Sequence, residues 1–209
     1  MTRGNLCAFV FLFSILLSFK VSAQDSFGIS VEIGTVVGIQ SSKDNTPEPG
    51  LLMSAGPRLG IFDNKFYLKP TGTIRLINSK VENTYPTHER ILDLGIGTEL
   101  LARFGEFNEL QVYPLIGFKT GYNFFLLAGE LQDDSDEGVM KSTGWSFDYI
   151  IGAYLEYQSF YFKPGVSFLT TKQTPTKVFK DSEYFIPNEN VDYNVISLIL
   201  QVGYTLGRK

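Results

Sequence analysis

Cysteine and histidine are almost absent from this 209-residue chain, which has one of each, Cys7 and His88. Zinc fingers, zinc ribbons and disulfide frameworks are thereby excluded, because a structural zinc takes about four such ligands and disulfides take pairs. Charge is sparse as well, at 19% of residues against a usual ~25%, with a net value of -4. A chain of that kind offers no basic surface to nucleic acid, and its 44% hydrophobic content is too high for disorder. Its length suits one domain. Long apolar runs are also missing after the first twenty or so residues, although aromatics make up 14% of the chain and mean hydropathy is near zero.

The exception is the start of the chain. Arg3 precedes an apolar run over 6–19, and Val21-Ser22-Ala23 supplies small residues where a signal peptidase reads. This is the pattern of a secretory signal peptide over 1–23. The run is shorter than the ~20 residues that span a bilayer as a helix, which argues against a retained anchor. Cys7 stands at the start of the run and not after it, so lipidation is not expected. Cleavage after Ala23 leaves 24–209, a chain free of cysteine with 16 basic and 22 acidic residues. It is expected to be exported, acidic and indifferent to redox conditions.

Beyond Gln24 the apolar rhythm has a period of two, the mark of strands with unlike faces. Over 196–206 one face reads Ile196, Leu198, Leu200, Val202, Tyr204 and Leu206, and the other Ser197, Ile199, Gln201, Gly203 and Thr205. Similar segments fall at 27–37, 51–61, 66–76, 92–104, 110–122, 145–157 and 160–168. Most are about twice the length of a globular strand and close to the ~9–11 residues that cross a membrane at a tilt. Long connections at 38–50, 77–91, 123–144 and 169–195 alternate with short ones at 62–65, 105–109 and 158–159. The expected fold is an eight-stranded antiparallel up-and-down transmembrane β-barrel over 24–209, with four long loops on the exterior side.

Charges decide which face looks inward. Eleven of them, Glu32, Arg58, Lys69, Arg75, Asp93, Glu99, Arg103, Lys119, Asp148, Glu156 and Lys163, fall on the polar face of these segments, and none falls on the apolar face. A lipid-facing Lys or Arg would cost roughly 2–4 kcal/mol near the midplane, so the polar face is assigned to the lumen. Eleven glycines share that face, whereas the apolar face has Gly72 alone. The lumen of eight strands only just holds side chains, so long ones fit where their neighbours are small. Pro57, Pro70, Pro114 and Pro164 fall on the outer face, where local bulges are expected to accommodate them. Aromatics gather near both ends of the spans: Tyr122, Trp145 and Phe147 by the long loops, and Phe27, Phe66, Phe104, Tyr157, Phe160 and Tyr204 by the short turns. Such rings suit the two interfaces of a membrane.

Phe66-Tyr67-Leu68-Lys69-Pro70, Val112-Tyr113-Pro114 and Phe160-Tyr161-Phe162-Lys163-Pro164 share a Tyr-then-Pro theme on strands leaving short turns. With the leader and the closing Val202-Gly203-Tyr204, the chain resembles the Bacteroidetes-type outer membrane β-barrel domain, the family of PorT-like and other small OmpX-like barrels. The resemblance implies an outer-membrane location among lipid and lipopolysaccharide, insertion by the barrel-assembly machinery, and for some members assistance to secretion. That machinery reads an aromatic-rich last strand, whereas here Tyr204 is followed by Thr205-Leu206-Gly207-Arg208-Lys209.

Chemistry is thinly represented. His88 is the one ready base near neutral pH, with Ser79 and Asp93 its nearest candidate partners, but no nucleophile spacing accompanies it. Asp133-Asp134-Ser135-Asp136-Glu137-Gly138 has the alternating oxygens of a calcium loop, yet Gly144 stands where the closing acid belongs. No cofactor, metal site or catalytic residue is therefore expected. The expectation is a monomeric, non-enzymatic barrel with a salt-bridged closed lumen, structural or binding a surface or secretion partner through its loops. The alternatives are a lipid-modifying enzyme using His88 and a narrow channel for small solutes.

Overall fold

A computed structural model describes residues 27–41, 45–62, 64–81, 87–128, 138–180, 183–185 and 190–206. The expected leader over 1–23 and the acidic stretch 133–137 lie outside these residues. The strands are β1 (Phe27–Ser41), β2 (Asn45–Ile61), β3 (Phe66–Val81), β4 (Thr87–Ala102), β5 (Gly105–Phe107), β6 (Leu110–Ala128), β7 (Gly138–Tyr157), β8 (Phe160–Lys180), β9 (Glu183–Phe185) and β10 (Val191–Leu206). The short β5 and β9 fold back on β6 and β8. The other eight pair antiparallel with their chain neighbours, and β1 pairs with β10, so the wall closes without an edge.

The register fixes the geometry of the wall. Directly opposed residues run from Val202 of β10 through Ile33, Met53, Ile74, Leu94, Tyr122, Trp145 and Lys172 and return to β10 at Asp192, ten residues from the start. With ~3.3 Å per residue and ~4.8 Å between strands, this stagger tilts the strands by about 40°.

Most strands run well past the ends that alternation suggests. β1 continues to Ser41, β2 begins at Asn45 and β8 reaches Lys180, so much of the four expected long loops is paired strand. Beyond the apolar band a strand no longer has one face held to lipid, so the contrast that marks a strand in sequence fades while backbone pairing persists. Irregularities at Gly38/Gln40, Glu48/Leu51, Val139/Lys141 and Lys141/Ser142 further scramble the rhythm there.

The prolines are accommodated without bulges. Pairing of β2 with β3 lapses between Ala55/Gly72 and Leu59/Leu68 and resumes in the same register, which sets Pro57 opposite Pro70. Neither has an amide hydrogen, so the ladder opens there without slipping. The β7–β8 ladder lapses in the same way beside Pro164, and the β4–β6 ladder ends at Leu101/Leu115, one residue short of Pro114.

The short turns need left-handed backbone. Phe62, Asn64, Asn108, Glu109 and Gln158 all have positive φ. At Asn108-Glu109 both central residues do, which gives the twist that a two-residue hairpin favours.

Candidate functional site

Alternation along each strand sends every second side chain inward, and ten of the eleven charges meet there, five cations and five anions, all buried. They form tiers along the barrel axis. Nearest the short turns, Arg58 Nη1 donates to both carboxylate oxygens of Glu156 at 3.0 and 2.9 Å. Its guanidinium carbon lies 4.1 Å from the centre of the Tyr67 ring and 4.6 Å from that of Tyr113. The cation is thus held by one carboxylate and two ring faces.

The middle tier gathers three lysines around two glutamates. Lys163 Nζ lies 3.0 Å from Glu32 Oε2 and 2.6 Å from Glu99 Oε1. Lys69 pairs with Glu32 and reaches Glu99 at 3.5 Å, and Lys119 reaches Glu99 at 3.5 Å. Hydroxyls complete the cluster: Tyr161 donates to Glu32 at 2.8 Å, Tyr154 and Ser54 also donate to Glu32, and the Tyr154 hydroxyl lies 3.3 Å from Glu99 Oε2. One positive charge is in excess here. The tier above balances it, because Arg75 pairs with Asp148 while Asp93 accepts from Ser146 at 2.5 Å. Higher still, Asn123, Ser142, Thr171 and Gln173 bond to one another as a neutral polar lid.

Glycine makes the space these chains occupy. A Cβ on Gly203 would stand 2.3 Å from the Tyr161 ring, and one on Gly97 would stand 2.4 Å from the Lys119 side chain. The inner face also carries apolar side chains that the reading by charge overlooks, among them Val36, Leu52, Ile150, Leu169 and Ile199. Ile199, between Ser197 and Gln201, is the one visible in the sequence pattern. Lys69, Glu99, Tyr154, Lys163 and Gln201 are all 0% exposed, so no water-sized passage runs beside them. An open pore would leave its lining wet.

Arg103 is the correction. β4 ends at Ala102, and Arg103 sits past the rim, exposed, bonded to Glu106 at 3.0 Å. Its parity suits the lumen, but the wall stops one residue earlier.

Of the interface aromatics, Phe66, Tyr157, Phe160 and Tyr204 stand on the outer surface at the short-turn end, where Phe160 and Tyr204 meet edge to face at 4.9 Å. Tyr122 and Trp145 stand outward toward the other end, ring centres 5.5 Å apart. The Phe27 side chain lies outside the described residues. His88 falls within β4, opposite Lys80 and Ala128, and not in a loop. Asp93 is five positions along the same strand, about 16 Å away along the backbone at ~3.3 Å per residue, and accepts from Ser146. Ser79 pairs with Glu89 in the neighbouring register step.

The outer wall inverts a soluble protein: Ile33, Ile74, Ile96, Ile116, Ile151 and Val202 are exposed while the charges are inside. That inversion, with eight strands tilted near 40°, is the architecture of an outer-membrane barrel.

No family model matches the chain, and no curated protein matches its sequence. Solved structures to which the chain is similar include Ail, the attachment invasion locus protein of Yersinia pestis, at 14% identity over 88% of this chain and 99% of that one, TM-score 0.47. Others are OprG, an outer membrane protein of Pseudomonas aeruginosa, at 14% identity over 90% and 99%, TM-score 0.49, and Neisserial surface protein A, at 14% over 85% and 96%, TM-score 0.46.

Proposed function

We propose that this chain is a non-enzymatic outer-membrane barrel with a sealed lumen, exported behind a leader at 1–23 and inserted by the barrel-assembly machinery. It works by what its long-loop end and outer wall bind. The observation that carries this reading is the buried, charge-balanced interior, since paired charges with side chains of 0% exposure among them specify structure and obstruct a path for solute. The partner is a surface or secretion-system protein met on the exterior side. An accessory role in secretion, as in PorT-like proteins, rests on the Tyr-then-Pro theme. The separation of His88 from Asp93 speaks against a lipid-modifying enzyme built on that pair.

Planar bilayers test the sealed lumen. The purified barrel is expected to give no discrete conductance steps across the applied voltage range. Reproducible single-channel steps that track the amount of inserted protein would overturn it.

A further inference from the structure

Gly72 differs from the other strand glycines. It faces outward, and a Cβ placed on it would meet nothing within 4 Å. Gly97 and Gly203 make room for side chains in the lumen, whereas Gly72 makes room for nothing in this chain. A glycine inside a strand weakens it, and often marks a place where something else approaches the backbone. The opposed residues Ala55, Gly72, Ile96 and Thr120 form the floor of a furrow across β2, β3, β4 and β6. Met53, Ile74, Leu94, Tyr122 and Trp145, in the adjacent register row, make its bank. The hollow holds ≈ 630 Å³.

The same two rows continue past Trp145, and their chemistry changes. One proceeds from Trp145 to Lys172 and Asp192, the other from Phe147 to Thr170 and Asn194. A second hollow of ≈ 810 Å³ lies over them, joined by Thr143, Thr174 and Asn190. Tyr122 and Trp145 line both hollows. The stagger makes these rows climb toward the long-loop end, so an apolar furrow in the membrane leads up past an aromatic pair to a polar shelf at the rim.

We propose that this path binds a phosphorylated glycolipid of the leaflet on the long-loop side, with one acyl chain in the furrow over Gly72 and the headgroup on the shelf. Lys172 supplies the cation for a phosphate, Asp192 directly opposite it accepts from sugar hydroxyls as the threonines and asparagines do, and the exposed Trp145 ring offers a flat face to a sugar. The proposal rests on the barrel spanning a membrane, which the test checks separately.

The full-length mature chain is inserted into phosphatidylcholine vesicles doped with lipid A, with lipid A stripped of its phosphates, or with phosphatidylethanolamine. Lipid retained on the extracted protein is then read by native mass spectrometry. Lipid A is expected to be enriched about tenfold over its phosphate-free form, the ratio that one charge-assisted contact gives, and to be enriched over phosphatidylethanolamine, which has a phosphate but no sugar hydroxyls. Gly72→Leu, and independently Thr120→Phe, fill the furrow and should lower retention of both lipid A forms alike. Lys172→Gln should erase the preference for the phosphorylated form. Heat-modifiable gel mobility reports that each variant is folded. Equal retention of lipid A and phosphatidylethanolamine, or folded variants indistinguishable from the parent, would overturn the proposal. Failure of the parent chain to enter vesicles would overturn the membrane-spanning reading and the lipid site with it.

Discussion

The two faces of these strands are built on opposite terms. The inner face holds polar and charged groups away from water and gives each of its charges an ion pair or a hydrogen bond, so Glu32 accepts from Ser54 and Tyr161 and pairs with Lys69 and Lys163, while the buried hydroxyls of Thr71, Ser197 and Thr205 have no hydrogen-bond partner among the described residues. The outer face holds apolar groups with no partner in the chain, such as Ile96, 66% exposed, and Ile151, 59% exposed. Inside, specificity comes from pairing and fit; outside, any apolar side chain of suitable size serves. For stability, a substitution inside should therefore be judged by the partner it strands, and one outside by its polarity.

The sharpest break of that contrast is Glu99→Gln. The glutamate faces Lys69, Lys119 and Lys163, and its neutralisation leaves three buried cations with Glu32 as the carboxylate among them. Removing one partner of a buried ionic cluster costs about 3–5 kcal/mol. Urea titration of the barrel in vesicles, followed by tryptophan fluorescence, should show that loss. A near-neutral result would mean that water reaches the tier. Removing the outward Ile96 side chain in favour of arginine is expected to cost somewhat less, about 2–4 kcal/mol, because the charge meets hydrocarbon at mid-wall. The same titration measures it, and in detergent micelles, which deform around a charge, the loss should shrink. If Ile96→Arg cost nothing in a bilayer, the outer face would not be facing lipid.

What the sequence reveals and conceals follows from the same two faces. Membrane and lumen impose opposite chemistry on alternate residues, so eight strands and their inward faces are readable from period two in segments such as 196–206. The extensions of β1 to Ser41 and β8 to Lys180 are not, because outside the apolar band nothing forces neighbours to differ. The inward Leu52 and Val36 escape a reading by charge, since the lumen needs filler as much as ion pairs. The furrow over Gly72 is hidden for another reason: it joins residues of β2, β3, β4 and β6 that become neighbours only through register. An outward glycine is visible in sequence, but the row it belongs to is not.

The rim marks where the contrast ends, and Arg103 is its test. By parity it belongs with Glu99 and Leu101 on the inner face, but it lies beyond Ala102 with its side chain 43% exposed and its partner Glu106 49% exposed. Solvent screens a pair of that kind, and exposed ion pairs contribute about 0–1 kcal/mol. Arg103→Ala should therefore move the urea midpoint little, in contrast to Glu99→Gln only four positions back, inside β4. A loss comparable to that of Glu99→Gln would show that the arginine turns inward in the bilayer and that the lumen carries six cations against five anions. A small loss would leave the interior with as many positive as negative charges. That balance needs no counter-ion from solvent, and a sealed lumen in a low-dielectric membrane is stable only on that condition.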